Sequence, residues 1–123
     1  MSEKPDIVLV YAPWDIKFYQ APGLPILAGY LISQDISVDI LDAVALNIDH
    51  KETVEQIAKI DAGIIGLSIP FTAMISTSIE LLKLITKEFS DKLVLCGGYH
   101  ATIRPQDVAS YCDMVVAVGR LLP

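Results

Sequence analysis

The sequence predicts one α/β domain built on a parallel sheet, and three observations support this fold class. The chain has 123 residues, which is long enough for one domain and too short for two. Short apolar runs alternate along it with segments of helical periodicity, as they do in successive βαβ units. Most of these runs are apolar at every position, which is typical of strands that helices cover on both faces. We therefore expect a doubly wound parallel sheet.

Five segments are predicted as strands of this sheet. Each is short and rich in Val, Ile and Leu, and such residues favour a buried strand when turn-forming residues bound the run. In chain order the predicted strands are residues 7–11, 38–41, 63–69, 93–96 and 114–118.

Four segments between these strands are predicted as helices: residues 24–33, 53–59, 76–89 and 106–111. The segment 76–89 has the clearest helical spacing. The segment 24–33 is apolar almost all round, so we expect it to be well buried.

A final covering helix is absent, because only five residues follow the last predicted strand. Apolar sheet surface would then face water, which monomers avoid. We therefore expect either a piece of a longer protein or a chain that needs a partner, such as a homodimer formed through this uncovered sheet face.

Composition and charge exclude several classes of protein. The net charge is −6 and no cluster of Lys and Arg occurs, so we expect no nucleic-acid partner. The polar start is not a signal peptide, and the most apolar stretch, residues 62–75, is too short and too interrupted to cross a membrane. Cys96 and Cys112 lack metal-ligand spacing, so no structural zinc or iron–sulfur site is predicted. We expect a cytoplasmic protein.

The turn after the fourth strand is the first candidate for a binding site. In open parallel sheets, ligands bind outside the carboxyl ends of the strands. Here that place holds Gly97, Gly98, Tyr99 and His100. Two glycines allow positive φ and the close approach of a ligand, although a tight strand-to-helix turn explains them equally well. His100 stands without a second catalytic group, so no catalytic residue is predicted.

Two further loops reach the same edge of the sheet. After the third strand, the hydroxyl groups of Ser68 and Thr72 flank Pro70 and could bind an amide, a ribose or a phosphate. Helix capping by Thr72 is an alternative role. The loop after the first strand is unusually long and carries three aromatic residues, which could form a flat apolar surface for a ligand or fold back as a local cluster: Trp14, Phe18 and Tyr19. His50 is expected to be a solvated loop histidine.

Four segments in this order, residues 22–31, 38–43, 65–68 and 95–105, together resemble the amino-terminal cobalamin-binding domain of radical S-adenosylmethionine enzymes. The Gly-Gly-x-His-Ala-Thr-x-x-Pro motif that begins at Gly97 is the most specific part. The resemblance implies a Rossmann-type, flavodoxin-like domain over residues 1–123, with five parallel strands in the order 2-1-3-4-5. It implies cobalamin across the carboxyl edge, bound by Pro13, Trp14, Ser68, Pro70, Thr72, Gly97, Gly98, Tyr99, His100 and Gly119.

The sequence departs from related patterns in two ways. Cobalamin domains of the mutase and methionine-synthase type carry Asp-x-His-x-x-Gly after the first strand, whereas this loop has Asp15 but no histidine. We therefore expect no histidine ligand to cobalt and no other metal ligand. The radical family also continues into a catalytic barrel with CxxxCxxC, which this chain lacks. Alone it is not expected to be catalytic, and a radical S-adenosylmethionine domain in the same or another chain is the expected partner.

Two other functions remain open at this point. The same fold could act without a cofactor as an interaction domain, with the uncovered sheet face as its docking surface. A flavodoxin-like protein that binds flavin or a nucleotide is a third possibility. No GxGxxG or GxxxxGK[ST] motif occurs, so neither a nicotinamide site nor a P-loop is predicted.

Overall fold

The fold is described by a computed structural model that covers residues 3–15 and 23–117 and the backbone of residues 120–122. Five parallel strands form a sheet in the order β2-β1-β3-β4-β5, which confirms the predicted flavodoxin-like topology. These strands are β1 (Ile7–Tyr11), β2 (Val38–Asp42), β3 (Ile64–Ser68), β4 (Leu93–Gly97) and β5 (Met114–Ala117).

A sixth strand extends the sheet beyond the prediction. Strand β6 (Arg120–Leu122) pairs antiparallel with β5, so it returns along the outer edge of the sheet. With only three residues, it is too short to show a strand periodicity in the sequence.

In the part of the chain that the structure describes, five α-helices connect the strands: α1 (Gly23–Ser33), α2 (Ala43–Leu46), α3 (His50–Ile60), α4 (Ile75–Glu88) and α5 (Tyr99–Ile103). The predicted helix at residues 106–111 was wrong. Two 3₁₀ turns, Pro105–Asp107 and Ala109–Tyr111, occupy that segment, and the helix lies earlier, as α5. The short helix α2 was not predicted, because four residues carry no readable period.

Helix α3 begins three residues before the predicted start because of a capping box. The Asp49 carboxylate accepts a hydrogen bond from the Glu52 amide at 2.8 Å, and the Glu52 carboxylate accepts from the Asp49 amide at 3.4 Å. These reciprocal bonds satisfy donors that a helix start otherwise leaves unpaired. His50 is therefore the first residue of α3 and is half-buried, which corrects its assignment to a solvated loop.

The sheet separates two apolar clusters of unequal size. On one face, alternate residues such as Val8, Val10 and Leu67 pack into the larger cluster with residues of α3 and α4. On the other face, Ile7, Leu9 and Tyr11 pack with α1 in the smaller cluster. A parallel strand covered on both faces is apolar at every position, as β1 is.

The prediction that α1 is well buried was wrong. Only Leu24 and Ala28 are buried in this helix, whereas Ile26 is 71% and Tyr30 63% exposed. The reason is geometric: α1 lies over β1 and β2 and touches the rest of the protein with one side. No helix in the ranges that the structure describes is long and apolar enough to cross a membrane.

The α1 face of the sheet is only partly covered. Within the described residues, α1 packs against β1 and β2 and no helix lies over the same face of β4 and β5. As a result, Leu93 is 40% and Val116 36% exposed, as the sequence led us to expect. This gap in the covering layer forms the candidate site.

Candidate functional site

The turn after β4 requires glycine at position 98. Gly98 has a φ of 97°, a conformation that residues with a side chain rarely adopt. A Cβ atom there would lie 2.7 Å from the Ile69 carbonyl oxygen and 2.8 Å from Ser68 Oγ. The Ile69 amide donates to the Gly97 carbonyl at 2.9 Å, and the His100 amide donates to the Ile69 carbonyl at 3.2 Å. The turn thus fastens the carboxyl end of β4 to that of β3.

An apolar cavity runs from this turn along the α1 face of the sheet. Its volume is about 400 Å³, within the range of about 300–1,000 Å³ that small-ligand sites span. Ser68 lies at the end of the cavity next to the carboxyl edge of the sheet. It has a polar side chain, whereas the other lining residues are apolar or glycine. The lining residues are Ile7, Leu9, Gly23, Leu24, Leu27, Leu31, Gly66, Leu67, Ser68, Leu95, Gly97, Gly98 and Val116.

Two glycines on neighbouring strands give this cavity its depth. Gly66 in β3 and Gly97 at the end of β4 occur on the face that α1 leaves open. A Cβ atom on Gly66 would lie 3.1 Å from Leu9 Cδ2, and one on Gly97 would lie 3.5 Å from Val116 Cβ. Sequence reasoning selected Gly97 but missed Gly66. An isolated glycine inside an apolar strand is the signal that could have found it, since it often marks a close approach.

His100 is held in a buried hydrogen-bonded network beside this cavity. Only 2% of the residue is exposed. Its Nε2 atom lies 2.8 Å from Asp107 Oδ2, and its Nδ1 atom lies 3.1 Å from Thr72 Oγ1. The Arg104 guanidinium donates to the same carboxylate at 3.0 Å. Arg104, and then His100, hold the pKa of Asp107 below its ordinary value by hydrogen bonding to its charged form.

The network assigns different places to the residues predicted around it. His100 does not line the apolar cavity but lies behind Thr72, whose side chain is exposed. Thr72 does not cap α4, because that helix begins after Met74 without a side-chain cap. Asp107 and Arg104 were not singled out from the sequence, since their role depends on how the 3₁₀ turn after Pro105 folds back.

The loop after β1 is anchored at the same edge of the sheet. The Thr77 hydroxyl donates to the Pro13 carbonyl at 2.5 Å, and His50 Nε2 lies 2.9 Å from Thr77 Oγ1. Pro13 is buried and Trp14 is half-buried. The Trp14 ring lies 6.3 Å from that of Phe71, tilted by 32°, so two loops contribute to one aromatic pair.

Two further predicted binding residues lie at the carboxyl edge of the sheet. Pro70 is half-buried and Tyr99 is 63% exposed at the carboxyl edge. Gly119 lies outside the described residues, as do the loop aromatics Phe18 and Tyr19. Among the residues that the structure places, no group of three or more His, Cys, Asp or Glu side chains is arranged to hold a metal ion.

Both cysteines pack in or against the apolar core and form no disulfide. Cys96 is fully buried in β4, as expected from its place at the end of an apolar run. Hydrogen bonding with Cys112 and burial both raise the pKa of the Cys96 thiol, while the same bond lowers that of Cys112. A buried thiol with a raised pKa is unreactive, so Cys96 serves the core.

Comparison with known protein families assigns the chain to one of them. The model of the B12 binding domain matches residues 17–120. The chain belongs to the B12-binding domain family. This membership confirms the resemblance to a cobalamin-binding domain. No curated protein sequence matches the chain significantly.

Solved structures of other proteins share the fold. The radical S-adenosylmethionine methyltransferase TsrM from Kitasatospora setae, with tryptophan substrate and the analogue aza-SAM bound, matches 90% of this chain with a TM-score of 0.75 and 20% identity. A cobalamin-binding protein from Desulfitobacterium hafniense DCB-2 matches 92% of it with a TM-score of 0.68 and 15% identity. This B12-binding domain spans 23% of the length of TsrM and 53% of that of the Desulfitobacterium protein.

A third match concerns signalling proteins. The complex of histidine kinase ThkA with response regulator protein TrrA contains a chain that matches 91% of this one with a TM-score of 0.63 and 13% identity. All three likenesses are below a quarter in identity and show the fold alone. The function of this B12-binding domain must therefore be argued from its site.

Proposed function

We propose that this domain binds cobalamin across the carboxyl edge of its sheet, with the nucleotide tail of the cofactor in the apolar cavity between α1 and strands β3 and β4. The observation that carries the proposal is the cavity itself. It is apolar, it extends from the Gly98 turn, and glycines at positions 66 and 97 deepen it. A flat aromatic base needs an apolar slot with close walls, and these residues fit that group.

Polar residues at the end of the cavity suit the rest of the tail. Ser68 lines it at the carboxyl edge, and the exposed Thr72 follows in the next turn. Their hydroxyl groups can hydrogen-bond the ribose, the phosphate or an amide. Gly97 and Gly98 leave the backbone accessible there. We assign tail binding to these four residues, with His100 behind Thr72.

The outer part of the edge offers an apolar surface for the corrin ring. Trp14 and Phe71 contact one another, and Pro70 and Tyr99 extend the predicted surface, whereas Pro13 is buried. Gly119 stays a sequence prediction. The loop residues 12–25 contain no histidine. His50 lies at the start of α3 and not in the loop after β1, and both ring nitrogens of His100 have partners, so we propose that no histidine of this chain binds cobalt.

The wider role follows from this binding. Cobalamin supplies methyl-transfer and radical chemistry, while the domain supplies binding and a defined environment. We propose that the chain serves a radical S-adenosylmethionine methyltransferase-type enzyme, with the catalytic domain in the same or another chain. The likeness to TsrM supports this role at the level of fold.

A cavity-filling variant tests the proposal. Gly98 is unsuitable, because any side chain there is strained. Gly97→Val instead places its methyl groups in the cavity, since its Cβ atom would make only ordinary contacts at 3.5 Å. We expect cobalamin affinity to fall by at least about tenfold, because the added volume competes with the tail. Hydroxocobalamin retention on a desalting column and calorimetric titration measure the effect.

The matched control is Gly63→Val, since a Cβ atom at Gly63 would meet nothing within 4 Å. This variant should bind hydroxocobalamin as the wild-type protein does. Wild-type protein that retains no cobalamin, or a purified protein with a flavin spectrum, would contradict the proposal. Equal affinity of Gly97→Val and wild type would show that the cavity is not the tail site.

A cofactor-free interaction domain is the second candidate. Helix α1 has no charged residue, and its outer side exposes Ile26, Tyr30 and Ile32. Such a surface is unusual on a solvated helix and suits a protein contact. The binding experiment above separates the two functions.

A further inference from the structure

The Asp107–His100–Thr72 network links two side chains that reach solvent through a buried imidazole between them. Asp107 is half-buried, His100 is 2% exposed, and Thr72 is exposed at the carboxyl edge. The two contacts, at 2.8 Å and 3.1 Å, join different nitrogens of the same imidazole. The hydrogen bonds of one neighbour therefore determine those of the other.

The carboxylate fixes the tautomer of the imidazole. An ionised carboxylate can only accept hydrogen bonds, so His100 Nε2 carries the proton that Asp107 receives. Arg104 donates to the same carboxylate, and Arg104 and His100 lower the pKa of Asp107, so this carboxylate is ionised at neutral pH, as an ordinary aspartate also is. In the neutral imidazole Nδ1 is then an acceptor, and the atom placed to donate to it is Thr72 Oγ1.

The polarity of Thr72 toward the ligand follows from this order. A hydroxyl group has one proton and two lone pairs. When the proton points inward to His100, the oxygen presents only lone pairs to the outside. A partner with an N–H or O–H group is then favoured, whereas an ionised phosphate, which only accepts, is disfavoured.

We propose that Asp107 and His100 fix Thr72 as a hydrogen-bond acceptor toward the ligand, so that Thr72 selects a hydroxyl or amide donor of cobalamin and not its phosphate. This assignment rests on the proposed cobalamin function. His100 is a positioning residue in it: it touches Thr72 and not the ligand.

The free protein provides the first test. Long-range ¹H–¹⁵N correlation spectra of ¹⁵N-labelled wild-type protein report which nitrogen of His100 carries the proton. We expect the proton on Nε2. A proton on Nδ1 would overturn the inference whether or not cobalamin binds.

Binding of two ligands to Thr72→Val provides the second test. The loss of one hydrogen bond should weaken hydroxocobalamin binding about fivefold, and Thr72→Ser should restore it. Cobinamide lacks the ribose, base and phosphate but keeps the amides. An unchanged affinity for cobinamide assigns Thr72 to a ribose hydroxyl, and an equal loss for both ligands assigns it to an amide.

Asp107→Asn separates an acceptor from a donor role. The new amide can donate to Nε2 and so favour the tautomer protonated at Nδ1, which turns the Thr72 proton outward. If the spectrum of Asp107→Asn shows the proton on Nδ1, we expect this variant to bind cobalamin about fivefold more weakly than wild type. Tighter binding would mean that Thr72 meets the phosphate and would overturn the inference.

Two controls complete the experiment. Arg104→Gln removes the ion pair but keeps the carboxylate, so its spectrum should match that of the wild type. Thr86→Val removes a hydroxyl on α4, the helix that follows the turn of Thr72. This hydroxyl donates to the Leu82 carbonyl, away from the edge, so the variant should bind normally. Thr72→Val within twofold of wild type for both ligands would overturn the inference. Absence of cobalamin binding by the wild type would overturn the proposed function, whereas the tautomer would still be measured.

Discussion

Single residues at the sheet edge act through different physical effects although they look alike in sequence. Gly98 is required by backbone conformation, since its φ is 97°. Its neighbour Gly97 is useful for the space beside it, because a Cβ atom there would make only ordinary contacts. The tight turn that the sequence offered as one explanation is confirmed for Gly98, whereas the close approach of a ligand at Gly97 stays a prediction.

The ionisation of Asp61 contributes to how the stability of the protein depends on pH under acidic conditions. Its carboxylate contacts the ammonium groups of Lys4 and Lys92, each at 2.6 Å, and these partners lower its pKa to about 2. An unfolded aspartate titrates at about 3.9, so the stabilisation is full above that pH and is lost as the pH falls through about 2.

We predict that Asp61→Asn flattens the loss of stability between about pH 4 and pH 2. Asparagine tolerates the left-handed conformation of this position, which has a φ of 56°, so the backbone should be unaffected. Urea unfolding as a function of pH measures the effect. The variant should be less stable than wild type at pH 6 and equal to it below about pH 2. Parallel curves for the two proteins would refute the role of Asp61.

Helices in this fold are positioned by their ends as much as by their apolar faces. The first residue of α3, His50, bonds Thr77 in the first turn of α4, and Thr77 bonds the loop after β1. Three elements that are far apart in sequence therefore meet at one hydroxyl group. Because Trp14 follows the anchored Pro13, this contact also orders the predicted corrin-facing surface.

Thr77→Val tests this connection at the level of elements. Valine keeps the volume but cannot donate to Pro13, so the free energy of unfolding should fall by about 1–2 kcal/mol. Hydrogen exchange should become faster at the amides of Trp14 and Asp15, while those of β4 stay protected. Thr86→Val serves as the matched control on α4. Unchanged exchange in the loop would show that Thr77 does not hold it.

The molecule as a whole has one well-covered and one partly covered sheet face. Helices α3 and α4 pack on the first, whereas on the second, among the residues that the structure places, a single helix, α1, covers β1 and β2. A complete second layer would bury Leu93 and Val116 but would also fill the cavity. The gap therefore exposes apolar side chains to water, and it also provides the space that a ligand needs.

The same gap leads to a prediction on self-association. The homodimer expected from the sequence would form through this face, so bound cobalamin would compete with it. We predict that hydroxocobalamin shifts the protein toward monomer in sedimentation velocity, and that Val116→Lys does so without a ligand. Leu84→Lys is the control, because Leu84 has a similar exposure of 37% on α4, over the other face. Association that neither cobalamin nor Val116→Lys reduces would exclude this face.

Much of the fold could be predicted because its signals are local. Strand β1 has the predicted bounds, and α4 lies within one residue of its predicted start and end, since apolar periodicity determines both. The segments at 99–111 were harder, because their short helix and 3₁₀ turns depend on contacts of His100 with Ile69 and Thr72, which are distant in sequence.

The sequence by itself determined the fold class, the order of the parallel strands through the family it resembles, and the motif at Gly97. These follow from periodicity and short-range pattern, which a chain carries along its length. The tertiary structure decided which side of α1 is buried, that Gly66 opens the cavity, and that Asp107 orients His100 against Thr72. These facts depend on distances between residues that are remote in sequence, and only folding brings such residues together.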